Sequence, residues 1–415
     1  MSRPSVLFLA PATHVYNHGF VRGLKDLGAA VWGIGPAPQD KLAPGLKPLL
    51  DGYRACPDIL NTGELERVAR ELNAEAKFTL IETIDEPLVE PAARLRELFG
   101  LPGISTRTAR LCRDKVEMKA VLREAGVPCA QSAAAGSASE LRAFAEREGY
   151  PLIVKPIDGF NALGAHRVDD AKALEALLPK LEFAQGRRVA VEEFIEGHEG
   201  FYDSLIGPEG QRFDFAAHYF PGCLEANRTR WISPQIAVTN RIEEGSYREL
   251  RDVGRRVTDA LGLRSCATHM EWFFGPKGLK FSEIGARPAG EKIWDMYGVG
   301  NDFDVYLEWA RAILGRPAES KLSRRRAVGS IQIRPDRDGR IEGHSGVKEV
   351  FERYRAWIYE HELPPAGALT KGLDRGWLCN TWFRLAHEDY DELRRAMDFI
   401  GETVKTRALR RPLAP

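Results

Sequence analysis

Cysteine is scarce in this chain: 415 residues hold six (Cys56, Cys112, Cys129, Cys223, Cys266 and Cys379), and no two of them form a C-x-x-C pair. Their scatter argues against a zinc site or a disulfide framework and makes a reducing cytoplasm the simplest home. Net charge is missing too, with 59 basic residues against 59 acidic ones, which argues against a dedicated nucleic-acid binder. No apolar run approaches the roughly 20 residues of a membrane span, and the run over residues 6–9 is far too short for a signal peptide. The first strand is not followed by G-x-G-x-x-G, so no dinucleotide site is expected there. The sequence has no internal repeat or low-complexity stretch, and no Ser or Cys sits in a recognisable nucleophile elbow.

The composition that remains is that of a soluble globular protein, 44% hydrophobic and 28% charged, long enough for two to four domains. Residues 1–100 alternate strand signals (6–9, 30–34, 78–81) with helix signals (16–27, 89–99), the pattern of a small parallel α/β domain. Leu101, Pro102 and Gly103 break the chain. Beyond them the spacing predicts helices at about 105–115, 116–125, 139–148 (with Ser139 as N-cap), 171–181, 247–261 and 303–314, and strands at 152–155 and 188–192. The basic run 321–326 reads as a solvated linker. After it come strands at 327–334 and 376–384 and a helix at 390–404, whose Leu393, Met397, Ile400 and Val404 share one face.

The segment 268–288 is the most informative. Two apolar-rich runs flank Gly275, Pro276, Lys277 and Gly278, which signals a β-hairpin. A three-residue loop with a bulge pairs Gly275 with Leu279, and hence Glu271 with Glu283 on one face. Like charges directly opposite repel, so the pair needs a reason. A divalent cation bridging a polyphosphate is one, because Mg²⁺ is usually held by one or two carboxylates plus substrate phosphates. An ordinary hairpin with one exposed acid and one salt-bridged acid is the other reading. Lys155 ends an apolar strand before a loop that contains Gly159 and Gly164; it is either a phosphate contact or a surface lysine before a turn. Glu192, Glu193, Phe194, Ile195, Glu196, Gly197, His198 and Glu199 read as a strand leaving the core or as a nucleotide hinge.

Taken in order, Asp114-Lys115, Val154-Lys155-Pro156, the run from Glu192 to Glu199, Glu271, and Glu283-Ile284-Gly285-Ala286-Arg287-Pro288 resemble the ATP-grasp superfamily over about residues 105–315. The whole chain looks like a carboxylate–amine ligase of the L-amino-acid ligase and biotin-carboxylase-like branch. The resemblance implies a mixed α/β (α+β) ATP-grasp fold in three parts. These are an N-terminal parallel α/β domain (1–104), an ATP-grasp domain (105–316) with a lid at about 125–197, and a small C-terminal α+β domain (317–415). It implies ATP with Mg²⁺ or Mn²⁺, and small-molecule carboxylate and amine partners rather than nucleic acid or membrane, and it leaves room for a homodimer. Lys115 and Lys155 would contact ATP phosphates, with Gly159 and Gly164 in the loop beside them. The carbonyl of Glu192 and the amide of Ile195, in the stretch shared with Glu193 and Phe194, would read adenine. Glu199 would bind ribose, Glu271 and Glu283 would hold the metal, and Arg287 would meet the transferring phosphate or the acyl-phosphate.

The implied activity is amide formation through an acyl-phosphate, with activation of bicarbonate or non-catalytic ATP binding as alternatives. It agrees with the chemistry of phosphoryl transfer, which is mostly positioning and charge neutralisation. Arg228, Arg230 and Arg241 lie where such ligases bind their acid substrate; they are either a carboxylate fork or solvated arginines. His269 should share the face of Glu271, as a ligand-orienting or a structural histidine. His14, Asn17, His18, Glu82, Asp85 and Glu86 follow strands at the end where open α/β sheets bind ligands, within reach of an acceptor amine. Two features depart from the family pattern: Phe160, Asn161, Ala162 and Leu163 occupy a loop commonly rich in Gly and Ser, and Gly285 stands where an Asn often assists the metal.

Overall fold

The computed structural model describes residues 3–157, 164–372 and 378–410. Gly159 and the start of the strand expected at 376–384 lie outside the described residues. The N-terminal strands β1 (Ser5–Leu9), β2 (Ala30–Gly35), β3 (Gly52–Ala55) and β4 (Leu80–Glu82) form a parallel sheet in the order β3-β2-β1-β4. Every residue of β1 is buried, as expected of a parallel strand covered on both faces. The strand order reverses at β1, so the carboxyl ends of β1 and β4 open a crevice. The helix Thr62–Ala76 was not anticipated, although Asn61 caps it and Leu65, Val68, Ala69, Leu72 and Ala76 make one buried face.

The strands β5 (Ser132–Ala135), β6 (Leu152–Pro156), β7 (His166–Val168) and β8 (Val189–Glu193) form an antiparallel sheet in the order β5-β8-β6-β7. Its core is its own, built from Leu141, Phe144, Leu152, Val154, Leu174 and Val191 among others. The N-cap of the helix Ala138–Glu148 is Ser137 and not Ser139: Ser137 is the extended residue whose hydroxyl accepts the Glu140 amide.

The largest sheet begins with β9 (His198–Gly207), β10 (Gly210–Phe220), β11 (Gln235–Val238), β12 (Cys266–Gly275), β13 (Gly278–Gly285) and β14 (Ala327–Gln332). Later come β15 (Gly339–Ser345), β16 (Ile358–Glu362), β17 (Trp382–His387) and β18 (Lys405–Arg410). The order β13-β12-β9-β10-β11-β14-β17-β16 makes one eight-stranded sheet, while β15 pairs with β18 in a separate ribbon. Residues 317–415 therefore do not stand apart at the level of the sheet. Strand β14 covers the edge of β11, which would otherwise offer unpaired backbone groups to solvent.

The run 321–326 is not the solvated linker its charge predicted. Arg324 reaches Asp214 at 2.7 Å, where Arg251 also binds at 2.7 Å, and Arg325 pairs with Glu388 at 3.0 Å. Arg326 pairs with Asp302. Asp214 is buried, and a buried carboxylate requires such partners.

The hairpin β12–β13 brings Glu271 opposite Glu283, by a route different from the expected one. Gly275 pairs with Gly278 across a two-residue loop, and the register then shifts between Glu271 and Trp272. Trp272 faces Phe281 while Glu271 faces Glu283, so Ser282 is the extra residue of a bulge. The bulge sits at the acids and not at the turn.

The N-terminal sheet docks on the central domain through the helix Asn17–Asp26, which packs on the helix Val305–Ile313. Phe8 and Phe20 meet Trp309 edge-on in a core shared with Trp294 and Tyr297. A Cβ at Gly23 would lie 2.5 Å from the carbonyl oxygen of Tyr306, so these helices approach at a distance that only glycine allows. G23A should therefore destabilise the chain by about 1–3 kcal/mol, read as a lower melting temperature in a thermal denaturation scan; an unchanged melt would refute the close packing.

Candidate active site

A cavity of about 690 Å³ opens where the three regions meet. The N-terminal sheet contributes Thr13, His14, Tyr16, Asp85 and Glu86 from beyond β1 and β4; the small antiparallel sheet contributes Lys155 and Glu192; the main sheet contributes Glu199, Glu271 and Glu283.

The helix Lys115–Glu124 delivers two ammonium groups. Asp114 caps it, accepting the amides of Val116 and Glu117 at 3.0 and 2.9 Å. Lys115 and Lys119 are one turn apart and face the same way. Lys115 lies 3.4 Å from Glu283. Lys119, which sequence reasoning missed, is fully buried and meets Oε1 of Glu192 at 2.5 Å, while Lys155 meets Oε2 of the same carboxylate at 3.0 Å. The spacing of four from Lys115 was the signal that could have found it.

Charge decides the protonation of this wall. Burial opposes ionisation of Glu192, but Lys119 and Lys155 outweigh it and hold the carboxyl down at about 2. Burial likewise acts against ionised Glu283, and Lys115, Lys155 and Lys119 overcome it, leaving that carboxyl below its ordinary range. Glu271 has no lysine so near. Burial first, then the charges of Glu283 and Glu199, push it up to about 8. Burial also lifts Glu199 to about 7, against the amide of Cys223, which donates to Oε2 at 2.6 Å. For Lys155 the carboxylates of Glu192 and Glu283 prevail over burial and raise its pKa.

Glu271 and Glu283 fit a divalent cation. They are adjacent, acceptor-only when ionised, and unfavourable together without a positive partner. Among the described residues, no group of three or more His, Cys, Asp or Glu side chains could hold an ion by itself. A cation here would complete its shell with ligand or water oxygens, as Mg²⁺ usually does.

His269 lines the cavity beside Glu271. Its Nδ1 lies 2.7 Å from Asp203, and its Nε2 lies 3.9 Å from Glu271. Tyr297 donates to the other Asp203 oxygen at 2.7 Å, so the imidazole is oriented from behind. Burial lowers the pKa of His269, but Asp203 more than offsets it and the net shift is upward. Arg287 donates to Glu86 at 2.7 Å, and Arg113 approaches the other oxygen at 3.3 Å. Glu86 is thus the holder of two guanidinium groups and not a free anion for an amine. A Cβ at Gly285 would stand 3.0 Å from Glu86 Oε2; the missing Asn side chain would press on this junction.

Other expectations need correction. Glu192 is paired within the sheet to Ser132 and Ile153, so its backbone belongs to the ladder, and its carboxylate, not its carbonyl, takes part in the cavity wall. The Phe194 amide donates to Pro151 at 3.0 Å, and Glu193 accepts the Gln131 amide at 3.0 Å and pairs with Lys277 of the hairpin turn. Ile195 and Gly197 line the cavity. A Cβ at Gly197 would meet the Phe274 carbonyl at 2.4 Å, so hinge and hairpin touch backbone to backbone. Arg228, Arg230 and Arg241 do not line the cavity. Arg228 donates to Ala165 at 2.9 Å, Arg230 pairs with Asp338 at 2.6 Å and Arg241 with Asp391 at 2.9 Å. The short helix Cys223–Ala226 turns Cys223, Leu224 and Glu225 inward, and the chain after it leads away. His14 stacks on Tyr16 at the cavity wall, whereas Asn17 is buried and bonds Ala10, and His18 and Glu82 lie off the cavity.

The family model for the carbamoyl-phosphate synthase L chain, ATP binding domain, matches residues 114–201, the span from the cap of the first lysine helix to the hinge. The chain is 32% identical over 290 residues to the formate-dependent phosphoribosylglycinamide formyltransferase of Bifidobacterium longum, covering 64% of this chain and 68% of that protein. Together with the geometry, these matches show that the chain belongs to the ATP-grasp family. It is also 26% identical over 231 residues to alanine–anticapsin ligase of Bacillus subtilis, covering 50% of this chain and 47% of that protein. The chain thus spans about half the length of the alanine–anticapsin ligases it matches. An L-amino acid ligase from Bacillus licheniformis shares the fold, with TM-score 0.78 at 18% identity over 99% of this chain and 100% of that one. No described helix is long and apolar enough to cross a membrane.

The raised Glu271 gives a stability prediction. Its folded pKa, about 8, lies above its ordinary value of 4.5. Between those values the folded chain holds the proton more tightly, so this group's contribution falls as pH rises through the window. In the absence of nucleotide and metal, E271Q should melt roughly 2–4 °C above the parent chain at about pH 9 and level with it near pH 5. An equal difference at both pH values would refute the shift.

Proposed function

We propose that the chain is an ATP- and Mg²⁺-dependent carboxylate–amine ligase acting on an amino acid or a related small carboxylate. The observation that carries this reading is the meeting of three lysines, the Glu271–Glu283 pair and the Arg287–Glu86–Arg113 junction in one cavity. Its likeness to alanine–anticapsin ligase and to the fold of an L-amino acid ligase supports it.

In this reading a substrate carboxylate oxygen attacks the terminal phosphorus of ATP and ADP leaves. An amine nitrogen then attacks the acyl carbon, phosphate departs, and the nitrogen loses a proton. Lys115 and Lys155 meet the phosphates, and their charge counters that of two approaching anions. Glu271 and Glu283 would hold Mg²⁺, which would supply further neutralisation of phosphate charge. Arg287, braced by Glu86, faces the transferring group. The amide of Ile195 serves the adenine and Glu199 the ribose. The small sheet β5–β8 is the lid, and its closure keeps water from the acyl-phosphate. Tyr16 and Asp85 stand at the end of the cavity left for the acceptor amine.

The test is ADP release with ATP and Mg²⁺ against pools of amino acids, other small carboxylates and bicarbonate. Release that needs both a carboxylate and an amine is the expected result, and E283Q should lower it by about 10²-fold or more while keeping the fold. Release at the parental rate by E283Q would remove the metal role. Bicarbonate-dependent release with biotin would point to carboxylation, and ATP binding without release across all pools to a nucleotide-binding protein.

A further inference from the structure

Lys119 has no part in the roles above, yet it is the most deeply buried lysine of the cavity wall. A buried ammonium is costly unless it is paired, and its partner Glu192 already has a cation. Lys155 lies 3.0 Å from Oε2, so the Lys155–Glu192 pair is neutral by itself. The second ammonium, 2.5 Å from Oε1, leaves the triad with a surplus positive charge. Burial draws Lys119 down to about 8 against the pull of Glu192, which marks that surplus as strained. Compensation of Glu192 therefore does not explain Lys119.

What Lys119 does is fix the carboxylate. Glu192 is held at the backbone between β5 and β6 and at the side chain by an ammonium on a capped helix. With Oε1 occupied from that side, Oε2 is the oxygen presented to Lys155. Lys155 feels the charge of Glu271 besides those of Glu192 and Glu283. Its ammonium stands between the strand β8 and the acidic pair, and the Glu192 carboxylate sets its position.

We propose that Lys119 is a positioning residue for Lys155, acting through Glu192. It holds the carboxylate so that Lys155 is aimed at the phosphate end of the nucleotide. The proposal rests on the reading of the cavity as an ATP site, and it concerns affinity for the phosphates, not for the base and ribose.

Titration calorimetry separates the two. ATP and AMP, each with Mg²⁺, are bound to the parent chain, K119M, K119R, K155M and K119M/K155M, and each variant is first melted without nucleotide to show that it is folded. K119M should weaken ATP by roughly 10-fold and AMP by less than about 2-fold, and K119R should restore most of the loss. K119M/K155M should be no weaker than K155M alone, since residues acting through one another are non-additive. If K119M does not fold, K119M/E192Q removes both ions of the pair and should show the same loss of ATP with AMP retained. Equal losses for ATP and AMP, or losses that add in the double variant, overturn the positioning role while leaving the ATP site intact. A parent chain that binds neither nucleotide overturns the ATP site itself, and the positioning role with it.

Discussion

Four carboxylates and three lysines share one wall of the cavity, and balancing their charge is the constraint to which the rest of the structure answers. Glu192 is settled between Lys119 and Lys155, and Glu283 faces Lys115. Glu271 is left with the balance: half-buried near two other acids, it holds its proton to about 8. A site arranged in this way favours a ligand that brings positive charge to the acids and negative charge to the lysines, which is the distribution of a metal-bound polyphosphate. Removing one member would leave another uncompensated, so the wall behaves as a unit.

The scaffold serves that wall from three directions. Strands β12 and β13 bring the acids together, with the bulge at Ser282 placing Glu283 opposite Glu271. The capped helix Lys115–Glu124 and the separately cored sheet β5–β8 bring the lysines and Glu192. Beyond β1 and β4 the N-terminal sheet brings Glu86, which braces Arg287 and Arg113. The backbone contact of Gly197 with Phe274 fixes where the small sheet meets the hairpin. Phe8, Phe20 and Trp309, packed in one core, fix where the N-terminal sheet meets the rest.

Much of this was legible one element at a time. The two apolar-rich runs flanking Gly275, Pro276, Lys277 and Gly278 gave the hairpin and the facing acids. The opposition of Glu271 and Glu283 came out right although the turn was read as a three-residue loop, because the one-residue offset assigned to the turn is supplied by the bulge instead. Lys119 was legible in principle, one helical turn beyond Lys115, but a lysine at a buried helix position defies the usual pattern of charged residues outside. The arginines 228, 230 and 241 were misread because nearness in sequence to the hinge does not say which side of the sheet a connecting loop faces. The basic run 321–326 was misread because its partners, Asp214, Asp302 and Glu388, lie far from it along the chain.

The sequence by itself determined many of the strands and helices and the identity of the charged residues, because periodicity acts within a few residues, although the helix Thr62–Ala76 and the cap at Ser137 went unread. It determined the order of the motifs too, and with it the family. Only the tertiary structure decided that β14, β16 and β17 would extend the central sheet, that Glu86 would serve arginines, that Glu192 would offer its side chain and not its carbonyl, and that Lys119 would be locked inside. Those outcomes depend on which charges meet across the cavity once water is excluded, and a carboxylate's partners there are chosen by distance in space and not by distance along the chain.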